Sequence, residues 1–67
     1  MIHITINGQS ETLPSGFSVL ALLEQRELTG MRLAVEHNGE IVPRARYATT
    51  LLAEGDTLEI VSAVGGG

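Results

Sequence analysis

Ile2-His3-Ile4-Thr5-Ile6-Asn7-Gly8 is the stretch whose reading settles how the chain begins to fold. Apolar and polar residues alternate with period two, so Ile2, Ile4 and Ile6 share one face of a half-buried strand while His3 and Thr5 share the other. Asn7-Gly8 then supplies two residues that tolerate positive φ, which a two-residue hairpin turn requires. A short return strand through Glu11-Thr12-Leu13 follows, and Pro14-Ser15-Gly16 breaks it.

The period then changes. Ser18 stands where a helix N-cap belongs, with Phe17 and Leu22 spaced to form a hydrophobic staple across it, so a helix is expected from Val19. Val19, Leu20, Leu22 and Leu23 form its apolar stripe, and Ala21 occupies the position where a capping-box acid would sit. Glu24-Gln25-Arg26-Glu27 reads as the solvated end and Thr29-Gly30 as the stop. A third strand, Arg32-Leu33-Ala34-Val35-Glu36, leads through a second turn at Asn38-Gly39 into Ile41-Val42. Pro43 has no backbone donor, so that fourth strand belongs at an edge or ends there. Arg44 to Leu52 is ambiguous in sequence and reads as a helical turn and a loop. Glu54-Gly55-Asp56 turns the chain into a last strand with Leu58 and Ile60 on one side and Glu59, Val61 and Ala63 on the other.

Two hairpins with one helix between them imply an α+β domain over residues 1–64. A mixed sheet of four to five strands would carry the helix across one face, burying the Ile2/Ile4/Ile6 and Leu58/Ile60 sides under Val19, Leu22 and Leu23. This is the β-grasp (ubiquitin-like) arrangement, in which the first and last strands run parallel at the centre.

Residues 65–67 follow as a flexible C-terminal tail. Glycine loses more conformational freedom on ordering than any other residue, and a packed element has little use for three in a row. With Gly67 terminal, the tail presents a carboxylate that is ionised at neutral pH and free of nearby side chains. A frayed end is the plain alternative. Ala34, Val61 and Ala63, apolar on the expected outer face near the tail, would form a docking patch if contiguous.

The 67 residues contain no cysteine, two histidines far apart in sequence, no lysine, and four arginines against eight acids, for a net charge of −4. Disulfides and thiolate metal sites are thereby excluded, and no nucleophile–base pair or metal constellation stands out. His3 reads as solvent-facing and His37 as flanking a turn rather than as ligands, and Tyr47 as half-buried. The acidic balance argues against nucleic acid and favours a partner with a basic face. No secretory n-region and h-region open the chain, and the helix's longest apolar run, Val19 to Leu23, cannot cross a bilayer. A soluble cytoplasmic protein, monomeric when free, is expected.

Three blocks carry a family resemblance: Leu33-Ala34-Val35-Glu36-His37-Asn38-Gly39-Glu40-Ile41-Val42-Pro43-Arg44, then Glu54-Gly55-Asp56-Thr57-Leu58-Glu59-Ile60, then Val64-Gly65-Gly66-Gly67. With them the chain resembles the ThiS/MoaD family of small sulfur carriers, and within it the branch that serves thiazole formation in thiamine biosynthesis. The resemblance implies that Gly67 is adenylated with ATP and Mg²⁺ on a ThiF-type enzyme, converted to a thiocarboxylate by a persulfide such as that of a cysteine desulfurase, and used by a ThiG-type thiazole synthase. Val64, Gly65 and Gly66 would be the tail that the activating enzyme recognises, and Arg44 either a partner contact or half of an ion pair. The chain itself would bind no cofactor and catalyse nothing. The molybdopterin branch is the nearest alternative, although Ser62-Ala63-Val64 stands where its members usually carry prolines. A ubiquitin-like adaptor that is never activated is the other.

Overall fold

The alternation at the start of the chain becomes strand β1 (Ile2–Ile6) in the computed structural model, which describes residues 1–62. It is followed by β2 (Gln9–Leu13), helix α1 (Val19–Gln25), β3 (Leu33–His37), β4 (Glu40–Ile41), a 3-10 turn at Arg44–Arg46 and β5 (Thr57–Ser62). The strands form one five-stranded sheet in the order β2-β1-β5-β3-β4. Only the central β1–β5 pair is parallel; β1–β2, β3–β5 and β3–β4 are antiparallel. The expected β-grasp arrangement is therefore present.

Both Asn-Gly pairs make the turns their chemistry favours. Asn7 and Gly8 have φ of 51° and 83°, Asn38 and Gly39 have 52° and 88°, and positive φ at both central residues defines the hairpin turn that matches strand twist. The inner face of the sheet and the helix enclose a core of Ile4, Ile6, Leu13, Val19, Leu22, Leu23, Val35, Val42, Leu52 and Leu58. Val19, Leu22, Val35 and Leu58 have no solvent exposure at all, and no polar residue is buried with them among the described residues.

The segment that the sequence left open turns out to close the helix N-terminus. The first backbone N–H groups of a helix have no partner within it, and burial without partners is costly. Val19 N–H donates to Thr50 O and Leu20 N–H to Tyr47 O, both at 2.9 Å. Ala21 N–H donates to Ser18 Oγ at 3.0 Å. Leu52 N–H returns a bond to Phe17 O at 2.8 Å, so the two segments hold each other in register.

At its other end the helix stops earlier than Thr29-Gly30. Arg26 is the C-cap, and Glu27 takes a left-handed φ of 59°. Leu28 N–H then donates to Leu23 O and Glu27 N–H to Glu24 O, which is the Schellman closure. Leu28 turns back onto the core and pulls the chain out of the helix before the glycine is reached. Arg26 is half-buried rather than solvated, because its guanidinium pairs with Glu11 on the inner face of β2.

Strand β5 is fixed at its start by a polar network on Asp56, whose side chain is 13% exposed. Asp56 Oδ2 accepts from His37 Nε2 at 2.6 Å and from Ala53 N–H at 2.9 Å, and Oδ1 accepts from Asn38 Nδ2 at 3.1 Å. Asn38 Oδ1 in turn accepts from Thr57 N–H at 2.9 Å. The β3–β4 hairpin is thus tied to the entry of β5. Burial pushes the Asp56 carboxyl upward, but the hydrogen bonds from His37, Asn38 and Ala53 outweigh it and hold the group below its ordinary 3.8.

Two predictions follow from these ends. Glu27→Gly removes the Cβ clash of the left-handed conformation, about 1–2 kcal/mol, at an entropic cost of about 0.4–1 kcal/mol, so thermal unfolding should move up by a few degrees. An unchanged or lower Tm would show that Glu27 is not strained. For Asp56, a depressed carboxylate contributes stability that is complete above its unfolded pKa and lost as pH falls through the folded value. Asp56→Asn should therefore cost about 1–3 kcal/mol at pH 7 and flatten the loss of stability below about pH 4. Denaturant titrations of both proteins from pH 7 to pH 2 check this, and parallel stability curves would contradict it.

Candidate functional site

The end of β5 is where the sequence places the site, and the structure shows how that end is held. Thr5 N–H donates to Asp56 O and Asn7 N–H to Leu58 O, which completes the parallel ladder with β1. Asn7 then continues the ladder with its side chain, accepting from Ile60 N–H at 2.8 Å on Oδ1 and donating from Nδ2 to Ile60 O at 3.0 Å. The amide acts as one more residue of β1 after the backbone has turned away. The sequence marks Asn7 only as a turn residue; the contact spans 53 positions in sequence, and no local pattern signals it.

On its other side β5 runs antiparallel to β3, with Leu33 opposite Ser62 and Ala34 opposite Val61. The tail residues Val64, Gly65, Gly66 and Gly67, and Ala63 of the expected patch, lie outside the described residues. Ala34 and Val61 are neighbours on the outer face, Ala34 half-buried and Val61 54% exposed. One step along, Glu36 stands directly opposite Glu59, and Ile41 of β4, 64% exposed, is the register partner of Glu36. Neither glutamate forms an ion pair among the described residues, and like charges opposed across a ladder are unfavourable by about 0.2–1 kcal/mol.

Arg44 is not part of this face. It is exposed in the 3-10 turn, makes no ion pair among the described residues, and lines a shallow cavity of about 140 Å³ beside Leu20, Leu23 and Tyr47 on the helix side of the sheet. Tyr47 is half-buried there. His3 lies at the opposite end of the outer face from Val61. Its backbone N–H donates to Glu54 Oε1 at 2.9 Å, and its ring Nδ1 lies 3.3 Å from Oε2. The backbone N–H of His3 is the main reason the Glu54 carboxyl sits below its ordinary value. No group of three or more metal-ligating side chains occurs among the described residues.

What the arrangement offers is a rigid central strand, an outer face that mixes apolar and acidic groups, and a glycine-rich sequence beyond it. Comparison with known proteins places it. The sulfur carrier protein ThiS of Escherichia coli is 30% identical over 66 residues, covering 98% of this chain and all of that protein. A thiazole synthase of Paramagnetospirillum magneticum is 41% identical over 66 residues, covering 98% of this chain, which spans only 20% of that enzyme's length. The crystal structure of the thiamine biosynthesis protein ThiS from Geobacter metallireducens superposes with a TM-score of 0.84 at 29% identity, covering 98% of this chain and all of that one. The ThiS family model matches residues 4–67, and the chain belongs to the ThiS family.

Proposed function

We propose that this protein is a sulfur carrier for thiazole formation in thiamine biosynthesis, with the carboxylate of Gly67 as the group that is loaded and unloaded. The observation that carries the reading is the anchorage of β5. It is the central strand, bonded on both edges and clamped by Asn7 as far as Ile60, and Val64-Gly65-Gly66-Gly67 follows within a few residues. Residues 63–67 span at most about 18 Å when fully extended, so a partner that grips the sheet fixes the terminus within that radius. Binding energy from a rigid surface then positions a reacting group that has no side chain of its own to hold.

The chemistry requires other proteins. A carboxylate is a poor acyl donor, so its oxygen first attacks the α-phosphorus of ATP on an adenylating enzyme, and pyrophosphate leaves. A persulfide sulfur then attacks the acyl carbon and AMP leaves. A thiol reduces the resulting acyl disulfide, releasing the terminal thiocarboxylate. The chain supplies no cysteine for carrying sulfur in any other way. ATP and Mg²⁺ belong to the adenylating enzyme.

Thiazole synthase is the acceptor that the comparisons favour. The P. magneticum thiazole synthase, and a second from Magnetococcus marinus at 33% identity, each carry a counterpart of nearly this whole chain within a fifth of their length. Carrier and acceptor joined in one polypeptide would serve the same reaction, which supports the thiamine branch over the molybdopterin one. Val61 lies on the strand that leads to the tail, with Ala34 beside it on β3, and we assign the pair to the docking surface.

Incubation with ATP, Mg²⁺, the cognate adenylating enzyme and a persulfide source should raise the intact mass by the exchange of one oxygen for sulfur, with fragmentation mapping the change to Gly67. A modification elsewhere in the chain would refute the assignment. Gly66→Ala should leave Tm unchanged while slowing adenylation by about tenfold or more, because a Cβ must enter a channel fitted to bare backbone. Equal rates for the two proteins would show that the glycines are not read by the enzyme.

A further inference from the structure

The register of β3 against β5 puts Glu36 and Glu59 side by side on the outer face, and neither has a cationic partner among the described residues. Arg26 is committed to Glu11 on the inner side, and Arg44 and Arg46 sit on the 3-10 turn beyond β4. Arg32, two residues before Ala34, makes no ion pair with either glutamate. His3 is engaged with Glu54. The pair is bordered by Val61 and Ala34 on one side and by Ile41 on the other, and Val61 and Ile41 are among the few large apolar side chains left exposed.

We propose that Glu36 and Glu59 together seat an arginine of the adenylating partner, with Val61, Ala34 and Ile41 covering the aliphatic part of that side chain. The proposal rests on the carrier reading above and names the chemistry of the face that docks there. Two carboxylates on adjacent strands, their Cβ atoms about 4.5–5.5 Å apart, offer acceptors on both edges of one planar guanidinium. A lysine would meet the same charge but could not bridge both carboxylates with a fixed fork. An arginine also carries an apolar stem that matches the border, so docking relieves the repulsion and covers exposed apolar surface at once. The Glu59 half of the seat lies on β5, three residues before the last described position, so a partner arginine bridging it to Glu36 on β3 holds the strand from which the tail continues.

The test uses the full-length protein and its cognate adenylating enzyme. Glu36→Gln and Glu59→Gln should each raise Tm by about 1–8 °C, because each removes the repulsion. Each should also weaken binding to the enzyme by about tenfold or more and flatten the salt dependence of association. Glu24→Gln, an exposed helix position outside any ion pair, changes net charge equally and should leave affinity within about twofold. Undiminished affinity in both outer-face variants overturns the proposal, as does an equal loss in Glu24→Gln, which would make the effect one of total charge. If the parent is never adenylated, the carrier reading falls and takes the seat with it. If the parent is thiolated normally and the variants bind as well as it does, the seat alone falls.

Discussion

Everything distinctive about this domain depends on the parallel pairing of β5 with β1 at the centre of the sheet. Few backbone bonds make it: Thr5 and Asn7 donate to Asp56 and Leu58, and then the β1 backbone turns into its hairpin. The Asn7 side chain supplies the next two bonds, to both backbone groups of Ile60. One residue thus serves two purposes that conflict in most side chains. It adopts the left-handed φ that the turn demands, and it extends the ladder after the turn has begun. Without it both backbone groups of Ile60 that face β1 would lose these bonds.

The start of the same strand is secured differently. Asp56 gathers donors from the β3–β4 hairpin and from its own loop, so a polar network there does what the amide of Asn7 does further along. Both devices lie outside the apolar core. A domain of this size buries only about 60% of the surface its unfolded chain exposes. Anchoring the central strand β5 with side-chain hydrogen bonds therefore adds order where further apolar burial is not available.

The two faces of the sheet divide the work. The inner face holds the stabilising contacts, with Ile4, Ile6, Val35 and Leu58 sealed beneath the helix. The outer face keeps features that a purely stabilising surface would lack: two glutamates in direct opposition, flanked by exposed Val61 and Ile41. Strand alternation makes this division possible, because neighbouring residues of β5 belong to different faces and can be fitted separately.

Local chemistry was enough for much of this to be read from the chain. Period-two alternation of Ile2, Ile4 and Ile6, the two Asn-Gly turns, the Ser18 cap and the facing of Leu58 and Val61 are decided by neighbours within a few residues, and the sequence determined all of them. It also placed the candidate site at the glycine-rich end. Bonds between distant segments were a different matter. The role of Arg44 to Leu52 as the partner of the helix N-terminus, the burial of Arg26 against Glu11, the early helix stop at Glu27, the amide ladder of Asn7 and the opposition of Glu36 to Glu59 arise only when segments are brought together and docked. Sequence fixes which groups each residue can offer; the pairing register of the sheet and the packing of the helix decide which of those groups meet, because the energy of each contact depends on a partner that only the folded chain supplies.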